Sequence, residues 1–169
     1  MINDAQLRKA LLSDSAIIWD ILRGAIARRK ADGSSQWQDG YPNPGVILRD
    51  IQTGVGYVLT QEDEIIGYVT ILINDEPEYN RLKGSWLSNG DFVVFHRLAI
   101  AETHLGKGLA QTIFHLIEEY AREHRINSIK ADTNFDNLPM LRIFEKMGYQ
   151  YCGEVIFRGT PRRAYEKVI

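Results

Sequence analysis

The stretch His104-Leu105-Gly106-Lys107-Gly108-Leu109-Ala110 has the residue types and spacing to hold a phosphate. Glycines let a backbone approach an anion with no Cβ in the way. The first turn of a helix leaves N–H donors without acceptors, at the positive end of the helix dipole. An apolar strand pattern, 92–100, comes just before the glycines. An amphipathic helix pattern comes just after, with Leu109, Ile113, Leu116, Ile117 and Tyr120 on one face. Strand, glycine turn and helix together predict a pyrophosphate on the backbone of Gly106, Lys107, Gly108, Leu109 and Ala110. Lys107 would add charge beside it.

The pattern narrows the ligand. A Walker loop needs G-x-x-x-x-G-K-[S/T], and no such string occurs. A dinucleotide fingerprint needs a third small residue after Gly106 and Gly108, and Gln111 stands there. A dinucleotide-binding oxidoreductase is also disfavoured because regular βαβ repetition is missing. The segment instead resembles the acyl-CoA loop of the GNAT family of N-acetyltransferases, R/Q-x-x-G-x-G/A. Leu105, Gly108 and Ala110 occupy its defining positions, with Leu105 in place of the usual Arg or Gln. Leu98, Ala99 and Ile100 match the triplet that ends the family's preceding strand. A second family signature begins at Asn137 and runs to Phe144-Glu145-Lys146-Met147-Gly148-Tyr149, with Phe144 where the family often has Tyr.

The resemblance implies acetyl-CoA as co-substrate and transfer of its acetyl group to an amine. It implies a pantetheine arm bonded to the backbone of Leu98, Ala99 and Ile100, with Asn137 as a further partner. Asn137 also reads as a helix N-cap before Leu138. Such a transfer needs a group to take the amine's proton and donors for a developing oxyanion. His96 is the best candidate base, because histidine changes charge near neutral pH. Some members of the family place a His there. Asp132, Glu154 and a water wire compete, and His96 could instead hold a carbonyl within the sheet. Phe144 cannot donate a proton to the departing thiolate. Either Tyr149, Tyr151 or Tyr165 substitutes, or no acid is needed, since a thiolate leaves readily. Trp37, Tyr41 and Trp86 are candidate walls for the acceptor; their alternative is core packing. Arg142 and Lys146 read as exposed helix charges, and Cys152 as a buried strand residue.

Positioning these residues requires a particular order of elements. A first strand is predicted at 7–12. A helix follows, with Ile17, Ile18, Ile21, Leu22, Ala25 and Ile26 at core spacing. Asn43-Pro44 reads as N-cap and first position of a second helix ending near Gly54. Strands at 57–61 and 65–73 form a hairpin around 62–64. A polar connection, 74–90, leads to strand 92–100 and helix 108–123. A strand at 128–133 and a helix at 138–147, closed by Gly148, come next. A last hairpin, 149–157 and 163–168, turns at Gly159-Thr160-Pro161. The order is mixed α/β and matches that of the resembled family. The resemblance implies a mostly antiparallel sheet, split between its fourth and fifth strands, with about four flanking helices.

At 169 residues the chain fits one domain, 1–169, able to bury about two thirds of its unfolded surface. A net charge of -2 argues against a nucleic-acid partner. One cysteine forms no internal disulfide, and no Cys/His cluster has zinc spacing, so no metal is expected. No apolar run is long enough to span a membrane. Met1-Ile2-Asn3-Asp4 runs straight into folded-looking sequence, which makes a cytoplasmic location the expectation. The expected partner is a small-molecule primary amine. A homodimer is common in the resembled family and is carried as an expectation. Three rivals stand beside the small-amine enzyme: a catalytically silent CoA sensor, an enzyme for another acyl-CoA, and one for a protein amine.

Overall fold

The computed structural model describes residues 4–169, so the expected run-in at Met1, Ile2 and Asn3 lies outside the described residues. In chain order the elements are β1 (Gln6–Lys9), α1 (Ser15–Ala31), α2 (Pro44–Gln52), β2 (Gly56–Gln61), β3 (Glu64–Ile73) and β4 (Lys83–Gly84). They continue with β5 (Val93–Ile100), α3 (Leu109–Glu123), β6 (Ser128–Asn134), α4 (Leu138–Lys146), β7 (Gln150–Phe157) and β8 (Thr160–Val168). The described chain packs as two compact units, 4–71 with Arg97–Leu116, and Leu72–His96 with Ile117–Ile169.

In the first unit β1, β2 and β3 pair antiparallel in that order. Glu62 and Asp63, both left-handed at φ 51° and 65°, make the tight β2–β3 turn. One core gathers Ile18, Ile21, Leu22 and Ala25 of α1, Ile47 of α2, and Val58, Tyr68 and Ala99 of the strands. Ile17, expected in that face, is 47% exposed; the 3.6-residue period puts Ile18, Ile21, Leu22 and Ala25 inward and leaves it on the flank. The first strand also stops sooner than expected. The Asp14 carboxylate accepts the Leu11 N–H at 2.8 Å and the Arg8 guanidinium at 2.8 and 3.2 Å. That bends Leu12–Asp14 into a 3-10 turn. α2 begins as read from the sequence: Asn43 Oδ1 accepts the Val46 N–H at 3.1 Å.

In the second unit the strand order is β5-β6-β8-β7-β4. Only β5 and β6 are parallel, and α3 is the helical crossover such a pair requires. Their ladder is two pairs long, Val93↔Ile129 and Val94↔Lys130, whereas β6 pairs with β8 along its whole length. The β5–β6 ladder ends at Val94↔Lys130. Arg158 and Gly159, left-handed at φ 47° and 75°, form the last hairpin turn. Pro161 therefore lies in β8 opposite Ile156 rather than in the turn, and β6 pairing begins only at Arg162, where a proline would remove a donor.

The connection read as polar loop carries more structure than its composition indicated. Pro77–Arg81 is a 3-10 turn, and β4 pairs with β7. A Cβ on Gly84 would lie 2.0 Å from the Cys152 carbonyl oxygen, and one on Gly153 would lie 2.2 Å from that of Lys83, so this crossing admits only glycine. Fully buried Glu166 anchors the segment: it accepts N–H bonds from Leu87 at 2.7 Å and Ser88 at 3.4 Å, and hydroxyls from Ser88 and Ser128. Tyr79, Val94, Val155 and Ala164 form the core beneath it. Among the described residues no helix is long and apolar enough to cross a membrane.

Candidate active site

The glycine loop of the first unit has the geometry its sequence predicts. Gly106 and Gly108 are left-handed, at φ 75° and 74°, and a Cβ on either would meet nothing within 4 Å. The backbone there lies open. Thr112 is the first residue whose N–H finds an intrahelical acceptor, the Gly108 carbonyl at 3.1 Å. By helix geometry the N–H groups of Leu109, Ala110 and Gln111 have no intrahelical acceptor. No acidic side chain occupies that first turn, and Lys107 is exposed beside it. These residues fit a pyrophosphate. Leu105, 42% exposed and extended, leads into the loop.

The strand before the loop carries a bulge. Arg97 has φ 54°, a conformation costing an L-residue about 1–3 kcal/mol unless its surroundings hold it. They do. Arg97 Nη2 and Nε donate to the two oxygens of Asp50 at 2.7 and 3.0 Å, and Nη1 donates to the Tyr41 hydroxyl. The Tyr68 hydroxyl donates to Asp50 Oδ2 at 2.8 Å, and burial, then the Asp50 charge, pushes Tyr68 well above the ordinary phenol range. Asp50 is 4% exposed. Past the bulge, Leu98 is half-buried and Ala99 and Ile100 are buried. Arg28 donates to the Ile100 carbonyl at 3.1 Å, so that acceptor already has a partner within the chain.

His96, the residue before the bulge, belongs to the second unit. Its Nε2 lies 2.7 Å from Glu76 Oε2, and its Nδ1 lies 3.8 Å from Asp132 Oδ2. The Tyr79 hydroxyl donates to that same Asp132 oxygen at 2.6 Å, while Arg162 approaches the other at 3.8 Å. Burial, then Asp132, pushes the Tyr79 phenol far up, so it remains a donor. The Tyr79 and Phe157 rings meet the imidazole edge-on, at 6.3 and 6.2 Å. Of the competing bases, Asp132 is 3% exposed at its side chain and occupied by Tyr79. Glu154 is exposed on β7, opposite Lys83 and Arg163.

The remaining candidates are each engaged by their own unit. Trp37, 8% exposed, sits in the first core. Tyr41 binds Arg97 as described, and Arg97 lies 5.8 Å over its ring. Trp86 donates to the Tyr79 carbonyl at 3.0 Å and stacks with the Lys130 ammonium 4.3 Å over its ring. Asn137 caps α4, accepting the Met140 N–H at 3.4 Å. Phe144 is 1% exposed and stacked on Tyr165 at 4.7 Å, with Tyr149 at 5.5 Å. Burial pushes the Tyr149 and Tyr165 phenols up, which keeps their protons in place at neutral pH. Burial likewise raises the Cys152 thiol, the condition of an inert cysteine. Among the described residues no group of three His, Cys, Asp or Glu is placed to hold a metal ion.

Sequence reasoning offered Tyr79 only as an aromatic of a candidate lid segment, 76–90, and missed the Glu76 contact with His96 and the Arg97–Asp50 pair. Signals existed for the Arg97–Asp50 pair. An arginine inside an apolar strand demands a buried partner, and Asp50 follows buried Ile47 on the inner face of α2.

The model of the Acetyltransferase (GNAT) family matches residues 23–149. A GNAT-family acetyltransferase structure from Streptococcus agalactiae 2603 is 34% identical, with a TM-score of 0.87 over 98% of this chain and 95% of that one. Streptothricin acetyltransferase of Escherichia coli is 24% identical over 81 residues, 48% of this chain and 45% of that protein. N-acetyltransferase 8B of Homo sapiens is 22% identical over 106 residues, 63% of this chain and 43% of that protein. The match thus spans less than half the length of each of these two curated relatives. The chain belongs to the GNAT acetyltransferase family.

Proposed function

We propose that this chain transfers the acetyl group of acetyl-CoA to a primary amine of a small molecule, by direct attack in a ternary complex. The observation that carries the reading is His96, a mostly buried imidazole gripped at Nε2 by Glu76 and faced at Nδ1 by Asp132. Acetyl-CoA supplies the activated acyl carbon and a thiolate leaving group. The backbone of 106–110 binds its pyrophosphate, and Lys107 adds charge there. Leu98, Ala99 and Asn137 serve the pantetheine arm in this reading. His96 takes the proton that the amine sheds as its nitrogen–carbon bond forms and the carbon–sulfur bond breaks. No side-chain acid is needed, in keeping with the packing of Phe144 and the raised Tyr149 and Tyr165 phenols.

Three facts support a small cationic amine. The carboxylates of Glu76 and Asp132 stand beside the base and attract an ammonium. The chain has no basic excess for a polyanion, at net charge -2. One relative is by name an acetyltransferase for streptothricin. Of the aromatic candidates, Trp86 is half-buried in the unit that carries His96 and serves as an acceptor-facing surface, while Tyr41 holds Arg97 and Trp37 packs in the core of the first unit.

The test is CoA release across a panel of small amines and a panel of peptides. Turnover of at least one small amine is expected, and His96→Gln should lower it by roughly 10²-fold with CoA affinity intact. Acetylation of peptides or protein with no small amine turned over would overturn the acceptor assignment. A His96→Gln enzyme with wild-type turnover would overturn the base.

A further inference from the structure

Resting on His96 as base, we infer that Glu76 is its positioning residue: it fixes the imidazole's orientation and tautomer from the connection between β3 and β5. Glu76 does not touch the acceptor in this inference. It acts through the ring.

The geometry is that of a carboxylate–imidazole pair. A carboxylate oxygen 2.7 Å from Nε2 can only accept, so the neutral ring carries its proton on Nε2. The pair is well shielded, with side-chain exposures of 17% for His96 and 13% for Glu76. Glu76 is itself held. It precedes the 3-10 turn Pro77–Arg81, and its Oε1 accepts the Glu78 N–H at 3.4 Å. Its carbonyl accepts the Tyr79 N–H at 3.0 Å, and the Tyr79 carbonyl accepts the Trp86 indole. The segment that places Glu76 is thus tied down along its length, ending at the Glu166 anchor on Leu87 and Ser88. From the other side Asp132 faces Nδ1, with Tyr79 and Arg162 at its two oxygens. Charged and titratable groups facing the ring include Glu76, Asp132 and Tyr79, with Arg162 behind Asp132. When the ring gains the amine's proton, Glu76 already sits where the imidazolium's charge is balanced, and no group has to reorganise.

The test reads the ring and the rate separately. Imidazole 15N shifts of the free enzyme report the tautomer, and steady-state kinetics report kcat. Glu76→Ala should turn a neutral ring protonated on Nε2 into a mixture of tautomers. It should lower kcat tenfold or more while leaving the acetyl-CoA Kd within twofold. Glu76→Gln keeps a carbonyl oxygen that accepts the Nε2 proton, so it should retain the tautomer and recover part of kcat. Unchanged 15N shifts in Glu76→Ala would overturn the inference. So would a Glu76→Gln kcat no better than that of Glu76→Ala, a comparison that also serves if the Ala variant folds poorly and is scored as inactive. The outcome is distinguishable from failure of the base assignment. In that case His96→Gln keeps wild-type turnover, while the tautomer change on Glu76→Ala is still seen.

Discussion

Asp50→Asn removes one charge from the clamp that holds the β5 bulge. The wild-type carboxylate accepts two bonds from Arg97 and one from Tyr68, at 4% exposure. The Arg97 side chain is only 12% exposed. After the change that guanidinium stays buried with no compensating anion, and the new amide can accept through one oxygen only. Breaking a buried pair by removing one partner costs about 3–5 kcal/mol. Asn keeps the shape and one acceptor, which points to the lower end, about 3 kcal/mol. A domain of this size loses about 2–4 °C of Tm per kcal/mol, so the melting point should fall by roughly 6–12 °C. Scanning calorimetry at neutral pH on the ligand-free protein reads it directly. A companion variant, Asp50→Asn with Arg97→Met, removes the stranded cation as well. The pair should be less destabilised than the sum of the singles, by about 1 kcal/mol or more. A melting point within about 2 °C of wild type for Asp50→Asn, or strict additivity in the double variant, would refute the claim that this clamp holds the bulge.

Gly108→Asp places a Cβ at a left-handed position and a carboxylate in the open loop, so calorimetric CoA affinity should fall at least tenfold, about 1.4 kcal/mol. Unchanged affinity in a folded variant would remove the pyrophosphate from this loop. Phe144→Tyr pushes a hydroxyl into the ring cluster of Phe95, Tyr149 and Tyr165, and should cost about 1–3 kcal/mol of stability with turnover within a few-fold of wild type. A large gain in turnover would show that protonation of the leaving thiolate limits the enzyme.

What the sequence determined about this protein is what local physics encodes. The cap at Asn43 and Pro44, the helix at 109–123 and the left-handed glycines at 106 and 108 depend on neighbours within a few residues. So the loop, the helix starts and the element order were readable in advance. The glycine loop also stands in a family pattern, which is why a pyrophosphate could be expected on it before its shape was known. What tertiary structure decided lies across long separations. His96 meets Glu76 across 20 residues, and Arg97 meets Asp50 across 47. Periodicity shows that a residue faces inward, but not which inward-facing residue of another element it meets. That choice is made by strand order and helix docking, for which the sequence pattern carries no local signal. The same reason separates the two readings of Trp37: a loop tryptophan can face a ligand or the core, and only the packing of α1 and α2 put it among Ile18, Leu22 and Ile47. Phe144 is the converse case. Its missing hydroxyl was plain from the sequence, and its tight stacking on Tyr165, which gives the phenyl ring a structural role, belongs to the fold.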